Sequence, residues 1–103
     1  MIFEWNPAKA RSNLDKHGVA FEDAERVWRD PLHIIYFDRV EAGEARWWAV
    51  GVVGGLTTLL VVHMYPDPDD DERVRIIGAR RATPRERRRY EEDNANFRAT
   101  LEA

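Results

Sequence analysis

The sequence predicts a single α+β domain over residues 1–103: two N-terminal helices, a four-stranded antiparallel sheet and a C-terminal helix. Three observations carry that expectation. Apolar residues recur at helical spacing near both ends of the chain, while β-formers dominate the middle. Gly54-Gly55 separates two long apolar stretches, EARWWAVGVV (44–53) and LTTLLVVHMY (56–65), as a two-residue hairpin turn does. Helices first, consecutive strands next and one helix last describe a sandwich of two layers.

The elements follow in order. MIFEW (1–5) is apolar apart from Glu4 and reads as an extended lead-in. Asn6-Pro7 supplies a cap and first residue for a helix to about Lys16, with Ala10, Asn13, Leu14 and His17 on one face. Gly18 stands at its left-handed stop. A second helix near residues 21–28 places Phe21, Ala24, Val27 and Trp28 on a buried stripe, and Asp30-Pro31 ends it. Strands are expected at LHIIYFD (32–38), at the two arms of the Gly54-Gly55 hairpin and at RVRIIGA, reached across the acidic loop PDPDDDE. Neighbouring Trp47 and Trp48 must point to opposite sheet faces. Thr83, Pro84 and Glu86 form a capping box that opens the last helix. That helix carries only a thin apolar stripe, Tyr90, Phe97 and Leu101.

Composition excludes several classes. Without cysteine there is neither a disulfide framework nor a thiolate metal site. The longest apolar run, near residues 56–62, is far too short for a bilayer, and no signal-peptide pattern opens the chain, so a soluble cytoplasmic protein is expected. No histidine pair has ligand spacing, and the acidic loop lacks the glycine and terminal glutamate of a calcium loop. No cofactor or metal is expected.

Charge is sharply segregated. The window Arg73–Tyr90 holds eight arginines and one acid, leaving eight basic and eighteen acidic residues elsewhere. Arg80 and Arg81 lie where a strand hands over to a helix N-terminus, a place suited to anions. A solvated arginine-rich helix face is the plainer reading of the same run.

The motifs are more telling than the element order. FEWNPAKARSNLDKHGVAFEDA (3–24), Asp30-Pro31, Glu44-Ala45-Arg46-Trp47 before Gly51, and RIIGARRATPRERRRYE (75–91) together resemble the BrnT family, toxins of type II toxin–antitoxin pairs. The resemblance covers nearly the whole chain. It implies a RelE-like α+β fold, RNA cleavage without a metal, and neutralisation by a BrnA-like ribbon-helix-helix antitoxin that also carries operator DNA binding. Three features depart from the family pattern, one of them Gly78, which stands where a serine is common. Relatives tend to carry an arginine after the third strand, where this chain reads His63-Met64-Tyr65-Pro66, and the loop that follows is unusually acidic.

Metal-free RNA cleavage needs a base for the 2′-hydroxyl, an acid for the leaving oxygen and positive charge at the phosphorane. Arginine suits the charge role because its fork matches two phosphate oxygens. Candidate catalytic residues are therefore Arg80 and Arg81, with Lys16, His17 and His63 for charge and proton transfer. Arg46, Tyr65, Arg75, Arg85 and Arg88 are candidate RNA contacts, and His63 is expected to face RNA together with Tyr65. For His17 a helix-capping role, and for His63 a satisfied sheet position, are the structural alternatives. A ribonuclease toxin and a non-catalytic module that only complexes its antitoxin both remain open from the sequence, as does an arginine-helix domain that binds an acidic partner.

Overall fold

The computed structural model describes residues 1–102. Its centre is a five-stranded sheet in the order β1-β5-β4-β3-β2, built from Ile2–Glu4 (β1), Ile34–Glu41 (β2), Glu44–Val53 (β3), Thr57–Met64 (β4) and Arg73–Arg81 (β5). The α+β class is as expected, but the sheet is mixed. The lead-in forms β1 and lies parallel to β5, with Phe3 opposite Val74 and Glu4 opposite Arg75. Its backbone is anchored where the Ile2 N–H donates to the Glu72 carbonyl at 2.7 Å. Phe3 adds an edge-on contact with Trp28, ring centres 5.1 Å apart. Three residues show too little alternation to read as a strand from sequence.

Helix α1 spans Pro7–His17, and Asn6 Oδ1 accepts from the N–H groups of Ala8 and Lys9. Gly18 ends it at φ 70°, its N–H returned to the Leu14 carbonyl. The second expected helix is shorter. Phe21–Ala24 (α2) is α-helical, and Glu25–Arg29 winds on as a tighter 3-10 turn. No side chain caps α2 at Ala20. The turn also descends on the sheet at Gly51, where an added Cβ would lie 3.0 Å from Val27 Cγ1 and 3.2 Å from Asp30 Oδ2. Tertiary approach sets this winding, as is common for short 3-10 connectors.

Both sheet faces are apolar and both are covered. Phe21, Ala24 and Val27 pack on Ala49, Val61, Ile76 and Ala79 on one face. Val50, Leu60 and Tyr90 form a smaller core on the other, under α3 (Pro84–Glu102). The arrangement is three layers, not two, because β3 and β4 read as near-continuous apolar runs that need cover on each side. The register sends Trp47 to the α1–α2 face, beside His63, and Trp48 to the α3 face, beside Val62. Asn13 is the buried polar link from α1 to β5. Its Nδ2 donates to the carbonyls of Ala79 (2.8 Å) and Val19 (3.0 Å), and its Oδ1 accepts from the Ala79 N–H at 3.0 Å.

The capping box of α3 is closed in both directions: Thr83 N–H to Glu86 Oε1 at 2.9 Å, and Glu86 N–H to Thr83 Oγ1 at 3.2 Å. Only Tyr90 on this helix is buried, and Phe97 and Leu101 are exposed. Among the described residues, no helix is long and apolar enough to cross a membrane.

Candidate functional site

Strand register divides the arginines. Arg80 lies opposite Leu60 and Arg81 opposite Leu59, so the two adjacent side chains leave β5 on opposite faces. Arg80 turns under the first turn of α3. Its Nη1 and Nη2 donate to Glu86 Oε1 and Oε2 at 2.7 and 3.0 Å. This bidentate contact, aided by the Thr83 N–H, holds the Glu86 carboxyl at about 2 and raises the Arg80 guanidinium further above its ordinary range. Arg80 thus clamps the end of β5 to the start of α3.

Arg81 goes to the other face and lines a recess of about 210 Å³ with Gly18, Val19, Asp23 and Arg26. A second recess of about 200 Å³ lies between α1 and β5, lined by Lys9, Ser12, Asn13, Lys16, His17 and Ile77. The Asn13 bridge fixes α1 against β5, and the two recesses lie along this seam, Lys16 and His17 lining one and Arg81 the other. Among the described residues, no carboxylate forms an ion pair with Lys16, Arg81, Arg85 or Arg88, whereas Arg26 approaches Asp23 at 3.6 Å. The seam therefore offers an imidazole and an ammonium in one recess and, in the other, the guanidinium of Arg81, which forms no ion pair.

The other candidates are placed elsewhere. Arg75 and Arg73 both grip Glu4, at 2.9 and 2.7 Å, and their hydrogen bonds pull the Glu4 carboxyl below its usual range. Arg46 stands opposite Arg39 between β2 and β3. Its buried Nε has no hydrogen-bond partner, and its nearest carboxylate, Glu44, is 3.9 Å from Nη2. Arg85 and Arg88 are exposed on α3.

His63 does not face solvent, which corrects the expectation that it meets RNA beside Tyr65. It is fully buried, edge-on to Trp28 at 4.9 Å. Burial pushes its pKa down to about 4, so the imidazole is neutral at pH 7. Its Nδ1 lies 3.2 Å from the Val61 carbonyl and its Nε2 3.2 Å from the Tyr65 hydroxyl. Strand parity holds, since His63 continues the Leu59–Val61 side of β4 and meets Tyr65, but Trp28 covers that side at His63. Tyr65 follows β4, at the sheet end opposite Arg81. Sequence reading also passed over Arg26 and Lys9, since neither lies in the arginine-rich window. Their only signal is a helical position beside a recess. Among the described residues, no group of three or more His, Asp or Glu side chains is placed to hold a metal ion.

Residues 5–86 match the family model described as the ribonuclease toxin BrnT of type II toxin–antitoxin systems. No curated protein matches the chain. A crystal structure of the Brucella abortus ribonuclease toxin BrnT is similar in fold, with a TM-score of 0.55 at 24% identity, covering 81% of this chain and 99% of that one. With most of its length inside the family match, this chain belongs to the BrnT family of ribonuclease toxins from type II toxin–antitoxin systems.

Proposed function

We propose that this chain is a metal-independent endoribonuclease on a RelE-like scaffold, acting in the cytoplasm to inhibit translation. A BrnA-like ribbon-helix-helix antitoxin neutralises it and provides its only route to operator DNA. The observation that supports this reading is the α1–β5 seam, where one recess is lined by His17 and Lys16 and the other by Arg81, which forms no ion pair. In the proposed step the 2′-oxygen attacks the adjacent phosphorus as His17 takes its proton. The bond from phosphorus to the 5′-oxygen breaks, leaving a 2′,3′-cyclic phosphate, and the 5′-oxygen takes its proton from solvent water. Arg81 and Lys16 offset the charge that grows on the phosphorane, a contribution comparable to or larger than the roughly 10²- to 10⁴-fold of general acid–base help. Arg85 and Arg88 hold flanking phosphates. Arg46 and Arg75 lie beyond the seam and contact only a longer substrate, whereas Tyr65, held by buried His63 beside the acidic loop, is left out of the RNA surface.

The test is cleavage of free and ribosome-associated RNA by the purified protein in EDTA. Cleavage should fall by roughly 10²- to 10⁴-fold in a His17→Ala, Arg81→Ala variant that keeps its fold. Intact RNA with the wild-type protein would end the reading.

Two observations favour the alternative of a binding module that complexes its antitoxin without cutting RNA. The Arg80 fork is already filled by Glu86, and Pro66 stands where relatives carry an arginine. Stable complex formation with no cleavage of any RNA identifies that case.

A further inference from the structure

At the sheet end away from Arg81, the β2–β3 turn meets the loop between β4 and β5. Together they enclose a cavity of about 300 Å³ walled by Trp47, Met64, Tyr65, Pro66 and Pro68, with Glu44 at its rim. Trp47 is steadied by two edge-on rings, Phe37 at 5.3 Å and Tyr65 at 6.2 Å. Tyr65 is in turn held by its contact with buried His63 at 3.2 Å. The walls are thus aromatic, proline and thioether surface set on the firm end of the sheet.

The surroundings carry the opposite sign from the arginine-rich end of β5. The loop beside the cavity contributes Asp67, Asp69, Asp70, Asp71 and Glu72. Asp67 and Asp70 turn back to accept the N–H groups of Asp69 and Glu72, each at 3.0 Å, which shapes the loop. Among the described residues, none of these five acids forms an ion pair. Across the cavity, Glu44 has only a distant contact with Arg46 at 3.9 Å.

We propose that this cavity receives the arginine or lysine side chain of a basic segment on a protein partner. The aliphatic stem of such a side chain packs along Trp47, Tyr65 and the prolines, and its cation sits over aromatic surface within reach of Glu44 and the loop carboxylates. Charge complementarity chooses the occupant. An RNA backbone is repelled by the same carboxylates, and a neutral chain gains nothing from them. The site lies at the far end of the sheet from the α1–β5 seam, so it stands independently of the nuclease reading.

The experiment uses the full chain and an acetylated, amidated glycine–arginine pentapeptide with two arginines, beside the same peptide carrying citrulline. Binding is followed by NMR at low salt through the four tryptophan indole N–H signals. The arginine peptide should shift the Trp47 signal with millimolar or tighter affinity and bind about tenfold better than the citrulline peptide. A Glu44→Gln, Asp71→Asn variant, changed only at exposed carboxylates, should weaken binding several-fold while its thermal midpoint stays put. A Trp47→Leu variant that remains folded should lose the response. Equal binding of the two peptides, shifts confined to other tryptophans, or no shift at several millimolar peptide would each overturn the proposal.

Discussion

The Tyr90 hydroxyl donates to Asp30 Oδ2 at 2.5 Å, joining the one buried side chain of α3 to the carboxylate that ends the first helical layer. The same oxygen accepts the Val52 N–H at 2.8 Å, and Oδ1 accepts the Leu32 N–H at 2.8 Å. Burial pushes the Asp30 carboxyl up, but these donors outweigh it and leave it below the ordinary value. Layers on both sides of the sheet are thereby tied to one side chain. Tyr90→Phe should cost about 1–2 kcal/mol, and Asp30→Ala more, because it strands three donors. Urea denaturation of the two variants checks the order, and equal midpoints would contradict it.

Acid should loosen the fold in a defined window. Glu86 titrates at about 2 when folded against an ordinary 4.5, so the unfolded chain binds more protons between those values. The stability it contributes is complete above about pH 5 and is lost as pH falls from about 4.5 toward 2. Asp30 and Glu4, also held low, act in the same direction. Thermal midpoints between pH 7 and 2.5 should drop accordingly. Glu86→Gln should lower the midpoint at pH 7 and flatten the profile in that window.

Arg80 and Arg81 should separate cleanly on substitution. Arg80→Ala leaves the part-buried Glu86 without its fork and should cost about 1–3 kcal/mol. Arg81→Ala should stay within about 0.5 kcal/mol of wild type while removing RNA cleavage. Paired calorimetry and cleavage assays read both effects. The opposite pattern would place the chemistry at Arg80.

Gly51 is fixed by proximity to the 3-10 turn rather than by backbone freedom. A Cβ there would meet Val27 Cγ1 at 3.0 Å, Asp30 Oδ2 at 3.2 Å and His33 Cβ at 3.2 Å. Gly51→Ala should therefore destabilise by about 1–3 kcal/mol, and no loss in chemical denaturation would show that the turn yields freely.

The β2–β3 turn offers the reverse case. Ala42 and Gly43 both have positive φ, 51° and 78°, the geometry in which asparagine-glycine is preferred. Ala42→Asn should raise stability by about 0.5–1 kcal/mol, measured as a higher thermal midpoint.

What the chain determines by itself is local. The Asn6 cap, the Gly18 stop and the Thr83–Glu86 box depend on neighbours within a few residues and stand where the sequence places them, while the Gly54-Gly55 turn also takes in Leu56, since Val53 pairs with Thr57. The family motifs are equally legible, since they are strings of residues. Tertiary structure alone decided the rest. β1 exists because β5 offers it a parallel edge, and the tight winding before Asp30 exists because the sheet approaches at Gly51. Strand alternation put Arg80 and Arg81 on different faces, and only packing showed which of them Glu86 would claim. His63 and Tyr65 share a strand side as their spacing requires, yet the cover of Trp28 buries His63. Side-chain direction, burial and ion-pair choice depend on groups distant along the chain, so no short stretch of residues encodes them.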